Sequence, residues 1–490
     1  MSDQISASPP LFIDGQRRNG AAPHYAVHNP ARPREVVAHA PAADLDQLNQ
    51  AVQSARAASP DWSSSDSTGR AQAILAAVSS ASRNAADADL ATTYTREHGK
   101  VRAEARFEFD AAPAIAEILS GLAGPAIADE RIDEPSAYPR IQRAPYGVAA
   151  LILPFNWPVS LLMTKLTSAL VAGNTAVVKV PPSCPLAVLT FGAGIASELP
   201  PGVLNLVAEP GTELGQRLVE HPDVDVVSMT GGVASGRAVM AAAATTLTPV
   251  ILELGGNDAA LIAPDLPVSD ELIERLFAAT FTTTGQVCMA IKRLYAPRER
   301  VAELTDALLE RCSRELIGDG LAADVTLGPL HTAAARDRVA TLVADARSHG
   351  GTAHTAGRLR EADRDSDGYF LLPTLVTDVA ASAAVVTEEQ FGPVLPLLGY
   401  DDVVEAIAAA NATRFGLTAS VWSADEALAE TIATQLVAGT VSINCHGTAA
   451  QDPRVPFGGV GRSGVGRELG MEGIRGFTQS RGIVRQNPPM

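Results

Sequence analysis

Four short apolar runs, at residues 146–153, 175–180, 204–208 and 224–229, are separated by stretches of helical character such as 164–172. The runs are apolar without polar alternation, the pattern of strands covered on both faces. Strands of that kind joined through helices build an open parallel sheet with helices on both sides. The alternation begins again after residue 257, with strands at 259–262 and 294–296 and helices at 270–280, 302–315 and 331–349. The expected fold class is therefore α/β, with two doubly wound parallel-sheet domains. Upstream, residues 40–58 read as a helix with Asp44 near its start and Pro60 just past its end, and 67–98 as two helical stretches. The polar segment 129–143, interrupted by Pro135 and Pro139, reads as a projecting hairpin. With the C-terminal tail it is expected to form a small β unit for oligomerisation. Residues 357–368 are charge-rich and read as a surface loop.

A chain of 490 residues accommodates two or three such domains. Its formal net charge of −17 disfavours nucleic acid and anionic membrane surfaces as partners, since both are polyanions. The four cysteines are far apart, with no CxxC pair and no Cys/His cluster at zinc spacing, so neither a metal site nor a disulfide framework is expected. The first ten residues have no basic and no apolar region of a signal peptide, and no apolar run is long enough for a membrane span. A cytoplasmic location follows by default.

Three separated segments carry groups that make a reaction together. Phe281-Thr-Thr-Thr-Gly-Gln-Val-Cys288 sets a thiol after a Gly-Gln turn at the end of a helical run. Alone, Cys288 is as well explained as a small buried hydrophobe. Leu153-Pro-Phe-Asn156-Trp-Pro158 puts an amide just beyond a buried strand, where it can donate to an oxyanion, although a turn asparagine between prolines has the same pattern. Val250-Ile-Leu-Glu253-Leu-Gly-Gly-Asn257 places a carboxylate in an apolar strand, where burial raises its pKa toward that of a usable base; pairing with a lysine is the alternative. A fourth segment, with Gly231, Gly232 and Gly236 between a strand and an Ala-rich helix, suits a pyrophosphate at a helix N-terminus. It does not match G-x-G-x-x-G, and a tight turn explains it as well. Thiol, oxyanion donor, base and dinucleotide site combine into thiohemiacetal formation, hydride transfer and thioester hydrolysis.

These segments resemble the aldehyde dehydrogenase superfamily. So do Glu388-Glu-Gln-Phe-Gly-Pro393, Pro456-Phe-Gly-Gly459, Ser463-Gly464, Gly466-Arg-Glu468 and the entry at 11–30, in the family's order along nearly the whole chain. The resemblance implies a Rossmann-like cofactor domain (1–124 and 146–256), a catalytic domain (257–459) and oligomerisation segments (125–145 and 460–490). It implies Cys288 as nucleophile, Glu253 as base for deacylation, Asn156 as oxyanion donor and Lys165 close to that base. At the cofactor, NAD or NADP, it implies Lys179, Gly231, Gly232, Gly236, Leu254, Glu389 and Phe391, with Phe155 and Trp157 adjoining. It further implies a homodimer or homotetramer acting on a small-molecule aldehyde.

Three departures stand out. Pro182 occupies the position where NAD-specific members commonly carry a Glu for the 2′-hydroxyl, which leaves NADP open beside NAD. Gly232 replaces a Ser. The loop 444–456 is longer than usual, and in the family it lines the aldehyde tunnel. Trp157, Ser160, Leu161, Val287, Met289 and His446 are the expected pocket residues, and an apolar tunnel favours a hydrophobic or aromatic aldehyde. Each of these also fits ordinary core. Competing activities are CoA-acylating oxidation, against which Glu253 weighs because thiolysis needs no such base, and a cofactor-free cysteine hydrolase, which usually needs a His partner. A non-catalytic binding protein is disfavoured by Cys288, Glu253 and Asn156 occurring together.

Overall fold

The computed structural model describes residues 9–132 and 139–485. The readings of residues 1–8, of Pro135 and of the middle of 125–145 concern positions outside the described residues. The first of two large sheets has eight strands. Its middle five are parallel and lie in the order Leu204–Val207, Thr175–Lys179, Val148–Ile152, Val226–Thr230, Val250–Glu253. Along the chain this is 3-2-1-4-5, the order of a doubly wound sheet, with the reversal between Val148–Ile152 and Val226–Thr230. These strands are almost wholly buried, which is why their sequences do not alternate. Leu11–Ile13 pairs antiparallel at one side, and Gly464–Val465 at the other.

The second sheet has seven strands: six parallel ones around Ala259–Ile262 and an antiparallel edge, Thr352–Thr355. The expected strand at 259–262 and helix at 270–280 are there, the helix as Asp270–Phe281. A separate three-stranded sheet joins Glu130–Arg131, Arg140–Pro145 and Thr478–Ile483, so the hairpin and the tail do meet. Within 460–490, however, Gly464–Val465 belongs to the first large sheet.

Two local readings need correction. The helix expected at 40–58 is Leu45–Ser64, because Arg32–Ala42 is a strand and Asp44 caps the helix by accepting from the Gln47 N–H at 2.8 Å. Pro60 lies inside this helix, which continues because Trp62 is buried and donates its indole N–H to the Leu170 carbonyl at 3.1 Å. The surface loop expected at 357–368 instead holds the short strand Arg358–Leu359, paired with Leu316–Ile317. Its Asp363 is buried and accepts from the Asp319 N–H at 3.1 Å, which ties the segment down.

Candidate active site

The loop that carries Cys288 is built on strain. After helix Asp270–Phe281 the backbone runs through three left-handed residues, Thr283 (φ 52°), Thr284 (φ 57°) and Gly285 (φ 73°). Non-glycine residues in this region cost on the order of 1–3 kcal/mol each and persist only where their surroundings hold them. Here Thr283 N–H donates to Glu104 at 2.7 Å, and Thr284 Oγ1 to the Gly328 carbonyl at 2.8 Å. Gln286 bridges, giving its amide N–H to the Thr283 carbonyl and taking the His331 N–H. The turn leaves Cys288 partly exposed at the wall of a cavity of about 200 Å³. Burial pushes the resting thiol up to about 12; Asp258, Glu389 and Glu253 add to the rise, and Lys292 opposes it.

Asn156 lines the same cavity, its side-chain N–H donating to the Gln286 carbonyl at 3.1 Å. It follows strand Val148–Ile152 and precedes helix Pro158–Val171, at the point where the sheet order reverses. A buried pair that sequence reasoning missed holds this corner. Lys100 Nζ donates to the Asn156 carbonyl at 2.8 Å and to Glu108 at 2.5 Å, and stands 4.3 Å from the Trp157 ring centroid. The second Glu108 oxygen accepts from the N–H groups of Val159 and Ser160, donors in the first turn of that helix that have no partner within it.

Glu253 ends strand Val250–Glu253 and is 3 % exposed. Among the described residues no side chain bonds either of its carboxylate oxygens, and the Gly459 N–H is the donor near enough to pull its pKa down. Burial holds its pKa well above the ordinary carboxylate range; the charge of Glu468 raises it further, while Lys165 and Arg467 pull it back. Lys165 is wholly buried and paired with Glu468, with Ser228 Oγ joining the two at 3.0 and 3.1 Å. Glu468 lines the cavity that Cys288 and Asn156 share, so the expected neighbourhood of Lys165 and the base is present and contains a second carboxylate.

A second cavity, of about 550 Å³, opens at the carboxyl ends of the first sheet's strands. Ile152, Met229 and Val239 line it together with Lys179, Thr212, Gly215 and Ser235. Helix Val233–Ala243 begins here with Gly232 as its N-cap, and no side chain closes that end. A Cβ on Gly232 would meet nothing within 4 Å, so the turn is open there. An apolar cleft beside a lysine and an uncapped helix start fits a dinucleotide. Gly231 is packed on Met229, and Gly236 on Leu254, which is itself buried. Pro182 is half-buried in the turn after strand Thr175–Lys179. Sequence reasoning missed Glu209, whose carboxylate lies 3.5 Å from Lys179 Nζ and also accepts from the N–H groups of Leu214 and Gly215.

Glu389 accepts from the Gly256 N–H at 3.0 Å, and its carboxylate oxygen lies 2.2 Å from where a Gly255 Cβ would be, so a side chain at 255 would displace that carboxylate. Phe155 stacks on His331 at 4.4 Å and meets Phe391 edge-on at 6.0 Å. Trp157, Ser160, Leu161, Val287 and Met289 all line the Cys288 cavity, as do Thr448, Gln451 and Pro453 of the long loop. His446 is the exception. It is 2 % exposed, its ring bonds Ser420 Oγ at 2.8 Å, and it is not part of the cavity wall.

The chain is similar over nearly its whole length to several known proteins. The Aldehyde dehydrogenase family matches residues 17–483. Among curated relatives, aminoaldehyde dehydrogenase 1 of Pisum sativum is 34% identical, covering 98% of this chain and 96% of its own. Geranial dehydrogenase of Castellaniella defragrans is also 34% identical, covering 92% and 94%. Among solved structures, betaine aldehyde dehydrogenase of Staphylococcus aureus with NAD+ superposes with a TM-score of 0.91 at 30% identity, over 99% of this chain and 96% of that one. An E. coli NADP-dependent enzyme superposes with a TM-score of 0.92 at 31% identity, over 99% and 100%.

Proposed function

The chain belongs to the aldehyde dehydrogenase family and oxidises an aldehyde group with NAD or NADP, and we propose that it does so through Cys288 and releases a carboxylic acid. The observation that carries this reading is the shared cavity of Cys288 and Asn156, with the buried Glu253 close enough for its charge to act on the Cys288 thiol. Cys288 gives up its thiol proton to solvent water, the resulting thiolate adds to the carbonyl carbon, and the carbonyl oxygen takes up the negative charge beside the Asn156 amide. The bound nicotinamide supplies a hydride acceptor. When hydride has left the carbon, a thioester on Cys288 remains. Glu253, ionised, takes a proton from water as the water oxygen adds to that carbonyl, and the sulfur leaves as the acid forms. The raised pKa of Glu253 makes it a stronger base than a surface carboxylate. Hydrolysis is favoured over transfer to CoA because thiolysis has no use for this base.

The substrate class follows from the cavity wall. Phe107, Ala111, Ile115, Leu161, Met289 and Phe457 are apolar, and Glu468, the one carboxylate lining it among the described residues, is tied to Lys165. Lys100 stands against the Trp157 ring. A cationic group would lose its hydration here without gaining a free counter-charge, at a cost of several kcal/mol. An uncharged hydrophobic aldehyde fits, closer to the geranial dehydrogenase relative than to those named for aminoaldehydes or betaine aldehyde. Glu209 beside Lys179 provides a carboxylate at the end of the cleft where Pro182 removes one, which supports NAD over NADP. The three-stranded sheet, with Glu130–Arg131 exposed at its edge, supports a homodimer or homotetramer, to be read from the mass in solution.

The test is a panel of aldehydes, apolar and trimethylammonium-bearing, with NAD and NADP in parallel and with and without CoA. The expected result is CoA-independent turnover with NAD, at least about tenfold better kcat/KM for apolar aldehydes, a gap of about 1.4 kcal/mol. Equal or better use of the cationic aldehyde refutes the substrate assignment. Strict CoA dependence refutes the hydrolytic step.

A further inference from the structure

Four residues after the nucleophile, Lys292 is 1 % exposed. A lysine normally carries its ammonium to water, and burying one is costly without partners. Here Nζ turns back onto the nucleophile's own loop and donates to the Val287 carbonyl, with longer contacts of 3.5 Å to the carbonyls of Cys288 and Ala290. The backbone is fixed independently: Lys292 N–H donates to the Asp258 carbonyl at 2.9 Å, and the Lys292 carbonyl accepts from Gln390 at 3.1 Å. The ammonium also lies 5.8 Å from the Phe391 ring centroid.

The charges around it form a definite arrangement. Glu389, Asp258 and Cys288 face Lys292, and the buried His446 senses its charge. Cys288 is faced by Asp258, Glu389 and Glu253, all acidic, and by Lys292. One Asp258 oxygen accepts from Thr418 Oγ1 at 2.5 Å, and the other has no hydrogen-bond partner among the described residues. A thiolate at residue 288 therefore forms against three carboxyl groups and beside one ammonium.

We propose that Lys292 is a positioning residue for Cys288: its buried ammonium pins the nucleophile's loop through that loop's own carbonyls and supplies the positive charge that offsets the surrounding carboxylates when the sulfur becomes anionic. This rests on the reading of Cys288 as nucleophile. In turnover the ammonium neither gains nor loses a proton; it lowers the cost of thiolate both as the sulfur attacks and as it leaves the thioester.

The experiment measures alkylation of Cys288 by iodoacetamide across pH on the folded enzyme. In this reaction the thiolate forms a sulfur–carbon bond and iodide departs, so no cofactor or turnover is needed; peptide mass separates Cys288 from Cys445. Lys292→Met is expected to move the profile up by about one pH unit, about tenfold slower at a fixed pH below it. Lys292→Arg, which keeps the charge, is expected to stay within about half a unit of the parent. Asp258→Asn is expected to move it down. Opposite displacements for Lys292→Met and Asp258→Asn are the electrostatic signature, which a purely structural brace does not produce. A folded Lys292→Met enzyme with an unmoved profile overturns the proposal. If that variant does not fold, Asp258→Asn decides alone, and an unmoved or raised profile overturns it. Failure of the nucleophile assignment shows up separately, as dehydrogenase activity surviving in Cys288→Ser.

Discussion

Replacing Lys100 by Met tests how the oxyanion donor is held. Both Lys100 and Glu108 have side chains with 0% exposure, so the variant leaves a buried carboxylate without its cation. Breaking such a pair from one side costs about 3–5 kcal/mol. The structure places this case at the lower end, because Glu108 keeps the Tyr94 hydroxyl at 2.6 Å and the N–H groups of Val159 and Ser160. The Asn156 carbonyl loses its donor, worth about 1 kcal/mol more. The expected loss is about 4 kcal/mol by urea unfolding. Glu108→Ala is expected to lose more, since it strips a lysine and the first turn of helix Pro158–Val171 at once. Asn156 also loosens, so kcat falls toward the 10²–10³-fold range typical of a lost oxyanion donor, at about 3–4 kcal/mol. The KM for cofactor stays near the parent value. A Lys100→Met enzyme that loses under about 1 kcal/mol and keeps its kcat refutes the reasoning, because the pair is then neither a stability element nor a brace for Asn156.

Glu253→Gln is expected to give one rapid equivalent of reduced cofactor per site and then turnover slowed about 10²–10⁴-fold in a stopped-flow trace. With the base ionised only above its raised pKa, the parent kcat rises with pH, and that rise disappears in the variant. Glu209→Gln removes the carboxylate beside Lys179 and is expected to raise the NADP/NAD ratio of kcat/KM about tenfold; an unchanged ratio counts against its role at the cleft. His331 is lowered by burial to about 4 from 6.5, so the unfolded chain takes up its proton first as pH falls. Stability present above pH 6.5 is lost toward pH 4, by on the order of 3 kcal/mol for this residue, and His331→Phe is expected to flatten the urea midpoint over that window. His98 and His446, both lowered by burial, keep part of the slope.

What the sequence shows depends on whether the physics is local. Strand Ala259–Ile262 is legible because full burial leaves an unbroken apolar run. The start of helix Leu45–Ser64 is less so: its apolar pattern continues from the strand before it, and only the cap at Asp44 separates the two. Cys288, Asn156 and Glu253 stand at turns and strand ends whose residue types are visible along the chain. The direction of a side chain is not. His446 neighbours residues that reach the cavity, yet its ring turns inward to Ser420. Glu209 escapes a linear reading because the parallel pairing of Thr175–Lys179 with Leu204–Val207 is what brings it to Lys179.

Three buried lysines of the first domain obey one rule. Lys100 faces Glu108 across the start of one helix, while Lys165 faces Glu468 and Lys179 faces Glu209 across segments that the fold brings together. Each burial is tolerable because its partner is buried with it. Glu253 has burial of the same degree and no side-chain hydrogen-bond partner among the described residues. Burial makes it hold a proton more tightly than an ordinary carboxylate, which suits it to take one from water. The Lys165–Glu468 pair acts on Glu253 from both sides, Glu468 raising its pKa and Lys165 pulling it back, so the pair tunes the base strength we propose for Glu253.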